Sequence, residues 1–286
     1  MISRVKLEVR LKEINDLSGF QACLELQRET WGRDFSDLVP PTVLMIAQKT
    51  GGLVLGAYVD DLLVGFAWGI SGLRGNHKIH WSDMLAVKKS FRDQGIGYLL
   101  KMRQRQILRR RGVQEILWTF DPLESRNAHF NFSKLGVVVR EYCPNFYGFT
   151  RSPVHAVLET DRLIAIWNIQ VGTTAPRTKQ TMLETRRIIN PCRLSKTNEL
   201  ISGTPDLNLH KRNRVSTTPL YFEMVSNLAE LRSKNLPLAR QWQQHTRTAF
   251  CHYLSKSYII TDFVREEIDS RMGYFYVFER RPVVPA

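Results

Sequence analysis

The sequence predicts a mixed α/β fold: a central twisted mixed sheet with helices on both faces, followed by a C-terminal strand–helix–strand–strand extension. Short β-rich runs recur through the first 170 residues, and the hydrophobic period between them changes to that of a helix. The 286 residues are 43% hydrophobic and 24% charged, which is typical of a globular protein and excludes a disordered or collagen-like chain.

The first two elements are expected to be helices. Apolar residues fall close to helical spacing over 17–31, and Ser18 with Gln21 has the pattern of a capping box. Pro40-Pro41 is expected to open a second short helix, which Gly51-Gly52 closes.

The elements that follow alternate between strands and helices. Strands are expected at 53–59, 62–70, 79–87, 115–120, 137–142, 155–160 and 163–169. A helix of four to five turns is expected at 95–111, and another at 125–135, where Gly136 ends it.

The chain is predicted to have three parts. Residues 1–170 form the main α/β domain, 171–216 a basic irregular linker, and 217–286 a C-terminal α/β extension. The extension is predicted to contain a strand at 220–224, a helix at 238–255 and strands at 258–264 and 274–278. Its role stays open between covering the acceptor site, completing the sheet and forming a homodimer contact.

The chain is strongly basic, with a net charge of +14, and two stretches hold most of the excess. Residues 92–111 contain seven basic residues and one acid, and 171–216 contain nine basic residues and three acids. Such a field attracts nucleic acid, a lipid surface or a phosphate-bearing small molecule. The bland alternative is that the arginines on the helix simply form a solvated face.

Several other classes of protein are not expected. No apolar run reaches the ~18 residues that a membrane helix needs, and the charged N-terminus predicts a cytoplasmic protein without a membrane partner. The four cysteines lack the short spacing of a zinc site, so we expect free thiols and no metal.

A glycine-containing loop joins the strand at 79–87 to the helix at 95–111. Gly95 and Gly97 have no side chains, so backbone N–H groups could converge there on a pyrophosphate beside the positive end of the helix. The loop lacks the Lys-Ser/Thr of a Walker loop and the third glycine of a dinucleotide fingerprint. An ordinary tight turn is the alternative.

The six residues Arg92-Asp93-Gln94-Gly95-Ile96-Gly97 resemble the Arg/Gln-x-x-Gly-x-Gly/Ala motif of the GNAT acyltransferase superfamily. A second landmark follows in the same order as in that family: Asn127, and then Phe132-Ser133-Lys134-Leu135-Gly136. The resemblance spans about residues 5–147. Further stretches at 118–123, 145–148 and 160–163 resemble a branch of uncharacterised predicted acetyltransferases that also carry a C-terminal extension.

The resemblance implies that residues 1–170 bind acetyl-CoA or another acyl-CoA as co-substrate. The pantetheine would pair with the backbone of one strand, the pyrophosphate would lie on the glycine loop, and an asparagine would form the far wall of the channel. The positions that carry these roles are Leu85, Ala86 and Val87 for the strand, Arg92, Gln94, Gly95, Ile96, Gly97 and Tyr98 for the loop, and Asn127 for the wall.

The catalytic groups are less well marked by the sequence. Many family members carry a tyrosine, which protonates the leaving thiolate, at the position that Phe132 occupies here. Tyr142, Tyr147 or water could replace it, although tyrosines at strand ends commonly serve packing. Asp83, Asp121 and Glu124 are the candidate bases, and a solvated or capping role is the alternative for each.

The sequence therefore predicts an acyl-CoA-dependent N-acyltransferase that transfers groups other than aminoacyl groups by direct attack of an amine on the thioester. The acceptor is expected to be an amine on a small molecule or a peptide. The alternative is a non-catalytic acyl-CoA-binding or sensing protein on the same scaffold. Nucleic acid is not expected as a partner, because no zinc-finger or RNP-like motif accompanies the basic charge.

Overall fold

The computed structural model describes residues 8–148, 158–170, 187–212 and 219–280. The chain forms two compact units that interleave along the sequence. Of the described residues, the first unit contains 8–118 and 168–170, and the second contains 119–148, 158–167, 187–212 and 219–280. The domain boundaries predicted at residues 170 and 216 remain a prediction, separate from this division into two units.

The first unit is built on a mixed sheet whose strands neighbour one another in chain order. The strands are β1 (Arg10–Glu13), β2 (Leu53–Val59), β3 (Leu62–Arg74), β4 (His77–Val87) and β5 (Glu115–Phe120), of which the last two residues of β5 belong to the second unit. Neighbouring strands from β1 to β4 are antiparallel, whereas β4 and β5 are parallel. The predicted mixed sheet is confirmed.

Among its described residues, the first unit has three α-helices: α1 (Leu17–Trp31), α2 (Pro41–Lys49) and α3 (Ile96–Arg110). The predicted capping box at the start of α1 is wrong. Asp16 is the N-cap, and its Oδ1 accepts a hydrogen bond from the Gly19 N–H at 2.7 Å. Ser18 lies inside the helix, where its hydroxyl donates to the same carboxylate, so the helix begins two residues earlier than that pattern requires.

The core of the first unit lies where α1 and α2 pack on the sheet. Phe20, Leu26 and Leu44 are buried there against Phe66 and Met84. The amphipathic spacing of the two helices is what permits this burial, and each buried large side chain contributes about 1.5–3 kcal/mol.

The second unit carries another strand assembly, in the order β7, β6, β11, β12, β10. Its strands are β6 (Val138–Cys143), β7 (Arg162–Asn168), β10 (Leu220–Met224), β11 (Tyr258–Ile268) and β12 (Arg271–Arg280), and a separate small ribbon contains β8 (Arg193–Leu194) and β9 (Leu200–Ile201). Its helices are α4 (Ser125–His129), α5 (Leu209–Arg212), α6 (Leu228–Lys234) and α7 (Leu236–Ser255).

The C-terminal extension has the predicted order of elements, with α6 as an additional short helix before α7. Phe250 of α7 lies at the centre of its core and makes edge-to-face contacts with Phe222, Tyr276 and Phe278, at ring-centroid distances of 5.0–5.1 Å. Aromatic burial of this kind explains how a segment without a recognisable motif forms an ordered part of the protein.

Two predicted elements differ from those observed. The helix expected at 125–135 is α4 followed by a π-helical turn, Phe130–Leu135, which Gly136 ends in the left-handed conformation. Of the strand expected at 155–160, residues 155–157 lie outside the described residues, and 158–160 are not in a strand.

The predicted linker at 171–216 is described only from 187 to 212, where its regular structure is limited to β8, β9 and α5. All four cysteines are free, as expected.

Gly69 of β3 permits the close approach of β4. A Cβ atom at this position would lie 2.1 Å from the Trp81 carbonyl oxygen and 2.9 Å from Ser82 Cα. We therefore expect Gly69→Ala to reduce the free energy of unfolding by about 2 kcal/mol, as overpacking against backbone does. Urea unfolding measures the change.

Gly72→Ala in the same strand is the matched control, because a Cβ there would meet no atom within 4 Å. Equal stability of the Gly69→Ala and Gly72→Ala variants would contradict this account of the strand packing.

Candidate active site

Strands β4 and β5 pair over only part of their length and leave an opening in the first unit. Their parallel register joins Ile79 to Glu115, His80 to Ile116 and Trp81 to Leu117. Strand β4 continues for six residues beyond Trp81, as far as Val87. The backbone edge of 82–87 therefore borders an opening into which an extended ligand could add as a further strand.

A β-bulge lies where this opening begins. On β3, Trp68 pairs with Met84 and the next residue, Gly69, pairs with Ser82, so that Asp83 is the extra residue of β4. A bulge reverses the alternation of side chains along a strand. Before it, Ser82 faces α3; after it, Met84 and Ala86 belong to the core beneath α1 and α2, while Leu85 lies against α3 near Gly97.

The loop between β4 and α3 has the geometry that an anion site needs. Gly95 is the N-cap of α3 and has a φ of +81°, a conformation that residues with a Cβ rarely adopt. It provides no side-chain cap, so the N–H groups of the first turn of α3 are not bonded by a capping side chain. Arg92, Gln94 and Gly95 are exposed, and Tyr98 is partly exposed.

The long side chains of this loop bond back to its own backbone. Arg92 Nε donates to the Val87 carbonyl oxygen at 3.0 Å, and Gln94 Nε2 donates to the Ser90 carbonyl oxygen at 3.3 Å. The first bond holds the loop against the end of β4, and the second lies within the loop. The loop thus presents backbone N–H groups and one arginine charge together with the positive end of a 15-residue helix.

The candidate strand residues Leu85, Ala86 and Val87 lie along the free part of β4. Ala86 is buried in the core, so its backbone is the part that can meet a ligand. Asn127 lies on α4 in the second unit and is exposed.

A buried polar cluster between α3 and the sheet was missed by the sequence analysis. Lys101 is only 4% exposed; its Nζ donates to Ser82 Oγ at 2.9 Å and lies 3.9 Å from the centre of the Trp118 ring. One turn further along α3, Gln104 contacts His80, which also contacts Ser71. The alternative of a solvated face concerns the arginines of α3, and nothing in the sequence pattern indicates that its lysine is buried.

Asp83, a candidate base, projects from the bulge and is exposed. Nearby protein atoms withdraw water from its carboxyl group and raise its pKa, while a hydrogen bond from Trp81 opposes the shift. A carboxylate of raised pKa at the mouth of the opening is a stronger proton acceptor than an ordinary aspartate.

The other two candidate carboxylates lie in the second unit. Burial raises the pKa of Asp121, and the positive charge of Arg162, 3.9 Å away, opposes that shift. Burial is also the main cause that raises the pKa of Glu124, followed by the charge of Asp121. The two acids are thus electrostatically coupled.

Tyr147 and Asp121 contact the same arginine, Arg162. Its hydroxyl is 2.8 Å from Thr119 Oγ1, and its ring lies 5.1 Å from the Arg162 guanidinium. The side chain is partly exposed, so its hydroxyl group is open to a ligand. Of the two candidate tyrosines, this one is placed to exchange a proton.

Tyr142 has a different environment. It is buried, and its hydroxyl donates to Asp161 Oδ2 at 2.5 Å, while its ring packs edge-to-face on Phe250. Arg247 pairs with the same carboxylate. Burial, followed by the negative charge of Asp161, raises the pKa of Tyr142 well above its ordinary value, which makes it a poor proton donor.

Phe132 lies in an aromatic cluster of the second unit. It is buried and contacts Phe120 and Tyr276 edge-to-face, at centroid distances of 6.1 and 5.9 Å. The hydroxyl of Tyr276 donates to the Pro122 carbonyl oxygen at 2.6 Å. The apolar ring of Phe132 therefore fills a packing position.

Residues 20–136 match the model of the acetyltransferase (GNAT) family. They form a GNAT acetyltransferase-family domain. The matched region begins in α1 and ends at the glycine that closes the π-helical turn, so it contains β4, the glycine loop and α3. The family that this domain matches is one of acetyltransferases.

Solved structures similar to the GNAT domain cover just over half of this chain and nearly all of their own. They include a GNAT acetyltransferase from Streptococcus pneumoniae (15% identity, 56% of this chain, 99% of that chain, TM-score 0.46). An aminoglycoside 6'-acetyltransferase type Ii matches at 21% identity over 56% and 97%, with a TM-score of 0.45. The ribosomal-protein-S18-alanine N-acetyltransferase from Escherichia coli matches at 14% over 58% and 96%, with a TM-score of 0.44. None of the curated proteins matches the chain significantly.

Two kinds of feature are absent from the described residues. No group of three or more histidine, cysteine, aspartate or glutamate side chains is arranged there to hold a metal ion. Within the same part of the chain, no helix is both long and apolar enough to span a membrane.

The buried lysine predicts a pH dependence of stability. Burial lowers the pKa of Lys101 from its ordinary value of 10.5 to about 7. Between pH 7 and 10 the unfolded chain therefore binds the proton that the folded chain has lost, and stability rises with pH by up to about 1.4 kcal/mol per unit. We expect urea unfolding at pH 7, 8 and 9 to show this rise in the wild type and a smaller one in Lys101→Met.

The neighbouring His80 does not titrate in this window, because burial lowers its pKa to about 3. Lys12→Met is the matched control, since Lys12 also lies over an aromatic ring, that of Tyr58, but is exposed. Identical pH slopes in the wild type and Lys101→Met would contradict the assigned burial of the ammonium group.

Proposed function

We propose that the protein is an acyl-CoA-dependent N-acyltransferase that transfers an acyl group, most simply acetyl, to an amine by direct attack on the thioester. One observation carries the proposal: in the GNAT domain, the opening between β4 and β5 and the uncapped N-terminus of α3 lie at the two ends of the same free strand edge.

The residues fit the co-substrate in size and charge. The pantetheine is an extended chain with amide groups, and the backbone of Leu85–Val87 offers it strand-like hydrogen bonds. The pyrophosphate carries negative charge, and Gln94–Tyr98 offer N–H groups at the positive end of α3, next to Arg92. When bound, acetyl-CoA supplies an activated carbonyl group.

Side chains of the protein would remove and supply the protons that acyl transfer requires. An amine must lose a proton before it can attack, and Asp83 at the bulge is the proposed base in the first unit. In the second unit, Tyr147 stays a candidate proton donor because its exposed side chain bonds to a neutral threonine, whereas the hydroxyl of Tyr142 donates to a buried carboxylate. Asp121 and Glu124 stay candidate bases, and Asn127 a candidate wall residue.

The acceptor is proposed to be a small-molecule or peptide amine, and the group transferred is not an aminoacyl group. The acidic side chains proposed as bases favour an amine that carries a proton before it binds. The proposal leaves the chain length of the acyl group open and includes a homodimer contact through the extension.

A second candidate function is acyl-CoA binding without catalysis. Phe132 favours it, because an aromatic ring packed on Phe120 and Tyr276 has no proton to give. In that case acyl-CoA would bind as in the transferase but would not be turned over with any amine. Release of free thiol in the presence of amines separates the two functions.

Binding to the glycine loop is tested by isothermal titration with acetyl-CoA, CoA and longer acyl-CoAs. Gly95→Glu and Gly97→Glu each place a carboxylate where the pyrophosphate would lie, so we expect affinity to fall at least 100-fold in both, about 3 kcal/mol. Gly95→Glu adds backbone strain because of the positive φ, whereas Gly97→Glu does not.

Gly72→Glu introduces the same charge on β3, at a position with open space, and should bind acetyl-CoA like the wild type. If the wild type bound no CoA species, or if the two loop variants bound as tightly as Gly72→Glu, the cofactor assignment would be lost.

A further inference from the structure

We propose that Lys101 is the proton donor to the sulfur atom that leaves when the acyl group is transferred. This role is the one that the family resemblance gives to a tyrosine at the position of Phe132. The inference rests on the proposed function, because it requires a CoA thioester in the opening between β4 and β5.

Lys101 lies at the apex of that opening. Trp81 and Leu117 are the last residue pair joined between the two strands. The next residue on each strand is Ser82 and Trp118, and these are the two residues that Lys101 Nζ contacts, at 2.9 Å from Ser82 Oγ and 3.9 Å from the ring centre. The ammonium group therefore bridges the two strands just where they separate.

The same helix that carries the loop also carries the lysine. Along α3, Gly97 lies near Leu85, Lys101 near Ser82, and Gln104 near His80, so α3 runs back along β4 from the loop. From Val87 to Ser82 the strand covers about 17 Å. An arm that starts at the loop and follows β4 to its bulge ends beside Lys101.

The burial of the Lys101 ammonium group is energetically unfavourable, which points to a functional reason for the lysine. Among the described residues, no carboxylate pairs with it, and Ser82 is its hydrogen-bond partner. Burying an ammonium group without a counter-charge costs several kcal/mol, and a methionine would fill the same space without that cost. The charged or titratable groups that act on this cluster are His80, held neutral by burial, and Arg111 beyond the end of α3.

The leaving thiolate is the counter-charge that the site otherwise lacks. The amine nitrogen forms the C–N bond, the C–S bond breaks, and its electron pair leaves on sulfur. A proton then passes from Lys101 Nζ to the sulfur, which gives free CoA thiol and a neutral lysine. The attacking nitrogen loses its own proton to a base, and lysine regains one from water, so the reaction is balanced.

The acidity of the buried lysine suits this transfer. Burial lowers the pKa of Lys101 to about 7, below the ~8.5 of an ordinary thiol, so the proton moves to the thiolate favourably. Asp83, the proposed base, is one residue from Ser82, which places acid and base in one unit with the loop.

The test needs no acceptor, because the free thiol of bound CoA reports the charge beside it. The ionisation of bound CoA is followed by the ultraviolet absorbance of the thiolate, with the complex of desulfo-CoA, which has no thiol, as baseline. Because Lys101 itself loses its proton near pH 7, its charge acts on the thiol only around and below that pH. We expect the fraction of thiolate at pH 7 to be severalfold larger in the wild-type complex than in free CoA, a shift that a nearby positive charge produces and that fades above pH 8 as the lysine becomes neutral.

In Lys101→Met the shift should disappear while CoA still binds by isothermal titration, since methionine replaces the buried side chain without a charge. Lys101→Arg, whose guanidinium group stays charged, should keep the shift above pH 8 as well. Lys12→Met, which removes an exposed lysine over Tyr58, should keep all of it. Thermal melting shows whether each variant is folded.

The outcomes separate the two proposals. If wild type binds no CoA, the proposed function itself fails. The role of Lys101 is overturned, while acyl-CoA binding stands, if CoA binds to the wild type but its thiol ionises there as it does free in solution. The same holds if the ionisation of the thiol is shifted as strongly in Lys101→Met as in the wild type. If Lys101→Met does not bind CoA, the titration of the wild-type complex alone decides whether Lys101 has this role.

Discussion

One extra residue in β4 determines how the first unit can bind a ligand. Asp83 forms a bulge opposite Gly69, and β4 and β5 stop pairing directly before it. Because the bulge reverses the side-chain alternation, Ser82 and Leu85 both face α3, although a spacing of three positions would place them on opposite faces of a regular strand. The free strand edge, the exposed Asp83 carboxyl group and the contact between Ser82 and Lys101 all depend on this irregularity.

Charge is distributed along the same edge in a way that matches the proposed ligand. At one end, the exposed loop offers Arg92 and the N-terminus of α3, which suit groups that stay negative throughout the reaction. At the other end, a buried ammonium group lies where negative charge would develop only as a thiolate leaves. A surface cation binds ground state and transition state alike, whereas a desolvated one acts most strongly on the charge that appears during the reaction.

Much of the fold could be predicted from sequence periodicity, and the details of the site could not. The runs at 53–59 and 115–120 are strands with the predicted bounds, because β-rich residues and flanking turns specify them locally. The cap of α1 was assigned to Ser18 although Asp16 competes for the same N–H groups. The bulge at Asp83 and the burial of Lys101 depend on partners distant in sequence, so no local pattern marks them. In α3, the apolar Leu99 is 40% exposed, whereas the polar Lys101 and Gln104 are buried.

The measurement that most directly tests the central claim is hydrogen–deuterium exchange of the backbone amides with and without CoA. The claim is that CoA lies along the free edge of β4 with its pyrophosphate on the loop before α3. We therefore expect slower exchange in peptides that cover 82–87 and 94–98, and unchanged exchange in those that cover 10–13 of β1. Protection confined to other segments, with 82–98 unaffected at saturating CoA, would contradict the account.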